Sequence, residues 1–211
     1  MLAVKSADRL VLTLTMQLSQ SFSGTLAAYA AARDRSAANS GWQAAYVIRP
    51  FNGPGILDVW LNAPVDLTLA IGPVVTYSMR YSTSDLSSAG AITTMQVLIN
   101  SALDAANACY VGIDRAAQRA YLVSDDGTQL LGSGVALNAG PTASGTSENS
   151  RCILRSPGST LFDSGSTDLV LTLSLQFKSN FAGNKFAYGG AQAAGAGRNS
   201  GWSLLQALKL E

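Results

Sequence analysis

Few side chains in this 211-residue chain could take part in catalysis, and histidine does not occur in it. Without histidine, the chain cannot form a Ser-His-Asp triad, a Cys-His nucleophile or a histidine-based zinc site. Gly/Ser sequences occur at 132–134, 157–159 and 163–165, but none has the G-x-S-x-G pattern of a nucleophile elbow. We interpret these sequences as turns and expect no serine hydrolase.

Paired carboxylates are the other route to catalysis, because two of them can act as acid and base on a glycosidic bond. The candidates are Asp114, Asp125, Asp126 and Glu148. Asp125 and Asp126 precede Gly127, and aspartate is common in such a turn because it hydrogen-bonds the local backbone. A turn explains these residues better than catalysis does, so we predict that the chain is not an enzyme.

A calcium site would need several oxygen ligands from neighbouring loops. Asp85, Asp125, Asp126 and Asp163 could supply them, but the sequence contains no D-x-D-x-D-G loop. No Gly-Lys-Ser/Thr sequence follows a strand, which excludes a phosphate-binding loop of that type. We therefore predict no metal site and no cofactor.

Aromatic side chains are the best candidates for ligand binding, because each ring offers a large apolar surface and tyrosine and tryptophan add a polar group. We select Trp60 and Tyr110 as candidate binding residues. Four other aromatic residues recur in an internal repeat, and we expect them to pack in the core or at a corner of the fold: Tyr29, Trp42, Tyr188 and Trp202.

The charge balance narrows the choice of partners. Lysine and arginine number 14 and aspartate and glutamate number 13, which gives a net charge of +1. This balance provides no electrostatic attraction to nucleic acid or to an anionic membrane surface. No apolar run reaches the length of a membrane span, and polar residues interrupt the apolar segment 10–18, so it does not resemble a signal peptide.

The two cysteines, Cys109 and Cys152, each lie in a strand-like sequence. Within 107–114, Cys109, Val111 and Ile113 share one face by a period of two. A disulfide between the cysteines would join two strands of a sandwich and, by closing a loop of about 43 residues, would stabilise the fold by about 4 kcal/mol. The alternative is a pair of buried free thiols in a cytosolic protein.

The strongest pattern is an internal repeat, in which residues 10–42 are similar to residues 169–202. Both segments begin with Leu-Val-Leu-Thr-Leu, contain a tyrosine and end with Asn-Ser-Gly-Trp. Similarity of this kind indicates a duplicated structural unit. Only the end of the unit is duplicated. We therefore predict that residues 1–50 are the C-terminal part of a preceding repeat, 51–73 a linker and first strand, and 74–211 a complete repeat.

The repeat also decides between helix and strand. Residues 26–38 are rich in alanine, which favours a helix. The matching segment 185–198 contains four glycines, and each would destabilise a helix by about 1 kcal/mol. We therefore predict, in both copies, a strand at the tyrosine, a turn, and a second strand that starts at the tryptophan.

Further strand signals follow one another along the chain. Alternating apolar residues predict strands at 59–61, 65–71, 74–81, 93–100, 109–114, 119–124, 128–131, 152–155, 160–162 and 169–177. Asp-Asp-Gly at 125–127 predicts a hairpin, and the polar segment 132–149 is predicted to be a loop with little to order it. With 47% hydrophobic residues to form a core, the pattern predicts an all-β fold, an antiparallel β-sandwich.

The order of several motifs resembles a known kind of module. A Cys-Tyr strand, the Asp-Asp-Gly hairpin, Asn-Ser-Arg-Cys, Leu-Val-Leu-Thr-Leu, Phe-Ala-Gly and Asn-Ser-Gly-Trp follow one another within residues 74–202. The segment resembles the immunoglobulin-like or fibronectin type III-like repeat modules of large bacterial surface and secreted proteins. It departs from a true immunoglobulin domain because no central tryptophan lies between the cysteines.

The resemblance implies a spacer, adhesive or ligand-binding module with an immunoglobulin-like fold in a secreted or cell-surface protein. Our first expectation is a structural or adhesive module that assembles with other copies, because the strands of residues 1–50 lack a second sheet. Strand complementation between copies could then build a filament. The alternative is a module that binds a surface protein or glycan through loops at one end of the sandwich, most favourably residues 132–149.

Overall fold

The structure is a computed structural model, and it describes residues 2–5, 10–13, 16, 26–41, 43–48, 57–61, 68–83, 92–163, 165, 168–194 and 199–211. These ranges contain β-strands and one 3₁₀ turn, Ser179–Phe181. None of the described helical segments has the length and apolar character needed to cross a membrane. Three features of the sequence analysis lie outside the described residues: residues 51–56 of the predicted linker, Trp42 and Asp85.

Two main sheets account for most of the strands. In chain order the strands are β1 (Leu2–Lys5), β2 (Leu10–Thr13), β3 (Leu26–Ala30), β4 (Gln43–Ile48), β5 (Leu57–Leu61), β6 (Thr68–Leu69), β7 (Val74–Thr83), β8 (Ile92–Asn100), β9 (Cys109–Asp114), β10 (Arg119–Leu122), β11 (Val135–Ala136), β12 (Thr146–Glu148), β13 (Cys152–Asp163), β14 (Asp168–Phe177), β15 (Gly183–Ala193) and β16 (Ser203–Leu210). The seven-stranded sheet has the order β11-β10-β9-β8-β15-β16-β6, and the five-stranded sheet has the order β12-β13-β14-β7-β5. Strands β1–β2 and β3–β4 form two further antiparallel pairs.

The two main sheets pack against each other through alternate residues of their strands. In β9, Cys109, Val111 and Ile113 are buried in the core, and the residues between them are only partly buried. In β14, Leu171 and Leu173 enter the same core from the five-stranded sheet. The prediction of an all-β sandwich is therefore confirmed.

Two buried tyrosines of β7 connect the sheets through their hydroxyl groups. Tyr77 donates a hydrogen bond to Gln206 Oε1 at 3.3 Å, and Tyr81 donates to the backbone carbonyl of Gln96 at 3.1 Å. Both side chains are fully buried, where an unpaired hydroxyl would cost about 1–3 kcal/mol. Burial raises the pKa of Tyr81, so its hydroxyl keeps the proton that it donates.

A disulfide between Cys109 and Cys152 links β9 of the seven-stranded sheet to β13 of the five-stranded sheet, with the Cα atoms 5.6 Å apart. The disulfide prediction is confirmed, and the alternative of two free thiols is wrong. The buried side chain of Asn149 donates hydrogen bonds to the carbonyls of Ala108 and Val123 and accepts one from the Cys152 N–H. The Asn-Ser-Arg-Cys motif thereby fastens the start of β13 to the opposite sheet.

Residues 132–149 are more ordered than their polar sequence predicts. They contain β11, which pairs with β10, and β12, which pairs with β13. The side chain of Asn138 bonds both the N–H and the carbonyl of Leu161 at 3.0 Å. The prediction of a loop with little to order it is therefore wrong, because short strands and asparagine side chains supply contacts that periodicity does not show. After Asp-Asp-Gly, an isolated bridge between Val123 and Leu130 replaces the longer predicted strand pair.

Both copies of the repeated sequence form a pair of antiparallel strands, as predicted, with β3–β4 in the first copy and β15–β16 in the second; each second strand begins one residue after the position of the tryptophan. The ladder shifts register at the same place in each, between Ala28 and Tyr29 and between Ala187 and Tyr188. Strands β3 and β4 pack on β15 and β16 of the same chain, where the rings of Tyr29 and Phe186 meet edge to face at 5.4 Å. The assignment of residues 1–50 to a preceding repeat stays a prediction.

Candidate binding cleft on the seven-stranded sheet

The outer surface of the seven-stranded sheet, which faces away from the core, presents two rows of residues across β10, β9, β8 and β15. Alternate residues of a strand point to opposite faces, so directly paired residues share a face. The first row consists of Tyr121, Gly112, Gln96 and Gly190. The second row consists of Arg119, Asp114, Thr94 and Gln192.

Two hollows on this surface have volumes of about 460 Å³ and 230 Å³, and both have Gln96 and Gln192 in their walls. The larger hollow lies over β8, β9 and β10, and the smaller one reaches the turn before β16. The volume of the larger hollow falls in the range of small-molecule binding sites, about 300–1,000 Å³, and the smaller hollow lies just below that range. We call the two hollows together the outer cleft, defined by Gln96, Tyr110, Gly112, Tyr121, Gln192 and Trp202.

Two glycines leave room for the outer cleft. A Cβ atom at Gly190 would lie 3.1 Å from the carbonyl oxygen of Gly201 and 3.6 Å from Cε3 of Trp202. At Gly112 the nearest atom would be Cδ2 of Leu130, at an ordinary contact distance of 3.7 Å. Side chains at these two positions would occupy the floor of the cleft, and glycine keeps it open.

Aromatic rings form the walls of the outer cleft. Tyr110 and Trp202 meet edge to face, with ring centroids 5.8 Å apart and an interplanar angle of 67°. Trp202 is 37% exposed, so its side chain is accessible to a ligand. The ring of Tyr121 packs closely against Gly134, where an added Cβ atom would lie 2.6 Å from it. Arg119 donates a hydrogen bond to the Gly134 carbonyl and so holds this glycine in place.

The Asn-Ser-Gly-Trp motif explains how Trp202 reaches the cleft. Asn199 Oδ1 accepts a hydrogen bond from the Gly201 N–H at 3.0 Å. The Ser200 hydroxyl accepts from the Ala191 N–H at 2.9 Å and donates to the Gly201 carbonyl at 2.7 Å. Gly201 has a φ of +62°, in the left-handed region that glycine adopts without steric cost. The motif is therefore a turn that is hydrogen-bonded to β15 and ends at Trp202.

The first copy of the motif forms the same turn. Asn39 Oδ1 accepts a hydrogen bond from the Gly41 N–H at 2.6 Å, and the Ser40 hydroxyl donates to the Gly41 carbonyl at 2.9 Å. A hollow of about 270 Å³ lies beside this turn as well. Arg33 forms an isolated backbone β-bridge with the asparagine of this motif, and Gln192 forms the same bridge in the second copy. The two copies thus share a turn and differ in the charge next to it.

Several polar groups of the cleft have no partner within the described part of the chain. They are the side-chain amide of Gln96 and the hydroxyls of Tyr110 and Tyr121. Gln192 Oε1 accepts a hydrogen bond from the Thr94 hydroxyl at 3.3 Å, and among the described residues its amide N–H groups bind nothing. Convergent polar groups in a concave surface are the ones that orient a bound ligand.

The outer cleft carries little charge. Among the described residues that line it, Asp114 is the one charged side chain, and its Oδ1 accepts a hydrogen bond from the Ala117 N–H at 3.0 Å. Burial raises the pKa of Tyr110, so its phenol stays protonated and remains a donor near neutral pH. The arrangement suits an uncharged polar ligand.

Beside the cleft, the outer surface of β15 and β16 is apolar and already covered. Phe186, Leu204 and Ala207 are buried there, and Tyr188 packs against them. Tyr29 from β3 lies over Phe186. Burial raises the pKa of Tyr188, and the neighbouring Tyr29 raises it further. This patch holds the first copy of the repeat and leaves the cleft as the open part of the surface.

The predicted aromatic residues lie in different surroundings. Tyr110 lines the outer cleft. For Trp60, the structure describes the backbone in β5 and not the side chain, so its predicted role lies outside the described residues. Tyr29 and Trp202, which were expected in the core or at a corner of the fold, are 50% and 37% exposed and lie at the bulge of β3 and after the Asn-Ser-Gly turn, so neither is a core residue. Tyr188 is partly buried in the covered patch.

The predicted carboxylates are engaged in separate local structures. Asp125 accepts hydrogen bonds from the N–H and hydroxyl of Ser150. Asp126 accepts from the Ser124 hydroxyl and from a threonine, and these hydrogen bonds lower its pKa. Glu148 pairs with a lysine at 3.2 Å. Within the described ranges, no three acidic or cysteine side chains group together to hold a metal ion.

Three cleft residues, Gln96, Gly112 and Gln192, were not identified from the sequence. Each lies within a strand, and only the pairing of β8 with both β9 and β15 brings them side by side. The sequence carries a weak signal for two of them. Gln96 and Gly112 each lie between two buried neighbours in their strand, which indicates that they point to the outer surface.

Comparison with known proteins gives no match: no protein-family model fits the chain, and no curated protein is significantly similar to it in sequence. The similarity to immunoglobulin-like modules therefore rests on the order of the motifs and stays an expectation. The geometry and chemistry of the outer cleft are the basis for assigning a function.

Proposed function

We propose that the chain is a non-catalytic adhesive module of an extracellular bacterial protein, and that the outer cleft is its binding surface. One observation carries the proposal: aromatic walls, a glycine floor and unpaired amide and hydroxyl groups meet in the two adjoining hollows of the outer cleft. Paired strands and the hydrogen-bonded Asn-Ser-Gly turn position these groups, so the site needs little ordering when a ligand binds.

The disulfide supports the extracellular part of the proposal. Cys109 and Cys152 are bonded across the sandwich, and structural disulfides persist in oxidising environments such as the cell exterior. The engagement of Asp125, Asp126 and Glu148 in separate turns and ion pairs supports a role without acid–base catalysis.

Filling the floor of the cleft tests the proposal. Gly112→Leu places a side chain in the cleft without a positive φ at that position, and Gly140→Leu is the matched control at an open position outside the cleft. Wild type and both variants are applied to immobilised bacterial and plant polysaccharides, mucin and collagen. We expect Gly112→Leu to lose binding that wild type and Gly140→Leu share. Equal binding of all three to every surface would reject the cleft as the adhesive site.

Assembly with other copies is the second candidate function. One observation favours it: three buried side chains, Phe186, Leu204 and Ala207, form the patch that holds β3 and β4, so two copies could exchange this small contact. Size-exclusion chromatography with light scattering, without reductant and over a wide concentration range, separates the candidates. A constant mass of 21.9 kDa supports the binding module, and dimers or polymers support assembly.

A further inference from the structure

We infer that the outer cleft binds an uncharged saccharide, and not an acidic polymer or an extended peptide. The inference rests on the proposed function, because it names the ligand class of the same cleft. It depends on the shape of the aromatic walls, on the free hydrogen-bonding groups and on the charge of the lining residues.

The corner between Tyr110 and Trp202 fits the two kinds of surface that a sugar ring presents. The planes of the two aromatic rings differ by 67°. A pyranose ring can therefore rest its apolar C–H face on one aromatic ring while its edge contacts the other. Tyr121 closes the opposite side of the cleft beyond Gly112. Rigid aromatic side chains give contact area at a low entropic cost.

The amides of Gln96 and Gln192 match the hydroxyl groups of a sugar. A glutamine amide donates and accepts hydrogen bonds, and so does each hydroxyl. The position of Gln96 is fixed from the core, because the buried Tyr81 hydroxyl donates to its backbone carbonyl at 3.1 Å. A sugar bound here would satisfy the Gln96 amide and the N–H groups of the Gln192 amide, which have no other partner among the described residues, while Gln192 Oε1 keeps its hydrogen bond from Thr94.

An extended peptide has no strand edge to pair with at this site. Strand β9 lies between β8 and β10, and β8 lies between β9 and β15, so their backbone groups are used in the sheet. A peptide could not add a strand here, which is a common way for β-sheets to bind extended chains. Recognition must come from the side chains, which offer rings and amides.

The charge of the cleft disfavours anions. No lysine or arginine is among the described residues that line the two hollows. The guanidinium of Arg119, which is paired with Asp114 across β9 and β10, donates to the backbone carbonyls of Ser133 and Gly134 at 2.6 and 3.1 Å. Asp114 would repel a carboxylate or sulfate. A neutral sugar needs no lysine or arginine partner and is not repelled by Asp114.

Affinity electrophoresis through gels that contain one polysaccharide each tests the inference. The neutral probes are mixed-linkage β-glucan, xylan, mannan and galactan, and the anionic probes are polygalacturonate, alginate and heparin. We expect at least one neutral gel to retard wild type and Gly140→Leu, with retardation of Gly112→Leu reduced about tenfold. We also expect this retardation to change little between about 0.05 and 0.5 M salt, because no ionic contact is involved.

The outcomes separate the inference from the proposed function. Retardation by anionic gels alone, lost in Gly112→Leu, overturns the neutral ligand and keeps the cleft as a binding surface. Binding of mucin or collagen that depends on Gly112, without any retardation by neutral gels, also overturns the saccharide and keeps the adhesive function. Retardation that Gly112→Leu leaves unchanged overturns the saccharide site in the cleft. If no surface or gel distinguishes Gly112→Leu from Gly140→Leu, both the inference and the proposed function fail.

Discussion

Trp202 meets Tyr110 edge to face, with ring centroids 5.8 Å apart, and this contact joins the turn before β16 to the outer surface of β9. Strands β8 and β15 lie between β9 and β16 in the sheet. The tryptophan therefore reaches back across two strands, over the side-chain-free position of Gly190. The contact creates the aromatic corner on which the proposed binding site depends.

Removing the Trp202 ring should weaken binding without unfolding the protein. We expect Trp202→Ala to lower the affinity for the polysaccharide that wild type binds by about tenfold, or about 1.4 kcal/mol, since aromatic anchors dominate many binding sites. Phe162→Ala is the matched control, because Phe162 is a 62% exposed aromatic residue on the other sheet. Titration calorimetry on both variants checks the prediction. An equal loss in both would show that the position of Trp202 has no special role.

The two copies of Asn-Ser-Gly-Trp allow a test of the turn itself. We expect Asn199→Ala and Asn39→Ala each to lower the free energy of unfolding by about 1 kcal/mol, because each removes the acceptor of a turn hydrogen bond. Asn199→Ala alone should also weaken binding, since its turn positions Trp202. Urea unfolding and the binding assay are run on both variants. Binding lost equally in Asn39→Ala would contradict this account.

Loss of the cross-sheet disulfide should strongly destabilise the fold. We expect the double variant Cys109→Ser/Cys152→Ser to lose about 4 kcal/mol of unfolding free energy, from the chain entropy released over a 43-residue separation. Wild type in reductant serves as the control and should unfold at nearly the same urea concentration as the double variant. A difference below about 1 kcal/mol between oxidised wild type and the variant would show that hydrogen bonds such as those of Asn149 already join the sheets.

Alkaline pH should destabilise the protein through Tyr81. Burial raises the pKa of Tyr81, with a further contribution from Tyr77. A tyrosine in the unfolded chain ionises near pH 10. The folded state holds the proton more tightly, so the contribution of Tyr81 to stability is complete below about pH 10 and falls as the pH rises further. Urea unfolding from about pH 7 to 11 should show a shallower decline for Tyr81→Phe than for wild type. Parallel declines would assign the alkaline loss to other groups.

The sequence alone predicts the features of the fold that depend on a local pattern of residues. Cys109, Val111 and Ile113 alternate with outward residues, and the strand that they predict has the same bounds in the structure. The glycines after Tyr188 predicted a strand and not a helix, and the structure shows the close contacts that two of them permit. A Cβ atom at Gly189 would lie 2.6 Å from Cγ1 of Val59 in the core, and Gly190 lies under the cleft.

The cleft could not be predicted, because it depends on register between strands that are distant in sequence. Gln96 lies beside Gly112 and Gly190 only after β8 pairs with β9 on one side and with β15 on the other. The repeat predicted that Trp202 packs in the core or at a corner, whereas the feature that the structure shows in both copies is the turn before the tryptophan. Similarly, Asn138 and Asn149 order the segment 132–149 by contacts with other strands, which polarity along the sequence does not reveal.

The most direct test of the central claim is a backbone-amide NMR titration of the full chain with neutral oligosaccharides prepared from β-glucan, xylan, mannan and galactan. If the outer cleft is the binding surface, the largest shift changes will centre on Gln96, Gly112 and Gly190 and will disappear in Gly112→Leu. Changes confined to the end loops of the sandwich would contradict the claim that the cleft is the binding surface, and no changes with any of the four probes would contradict the neutral saccharide as its ligand.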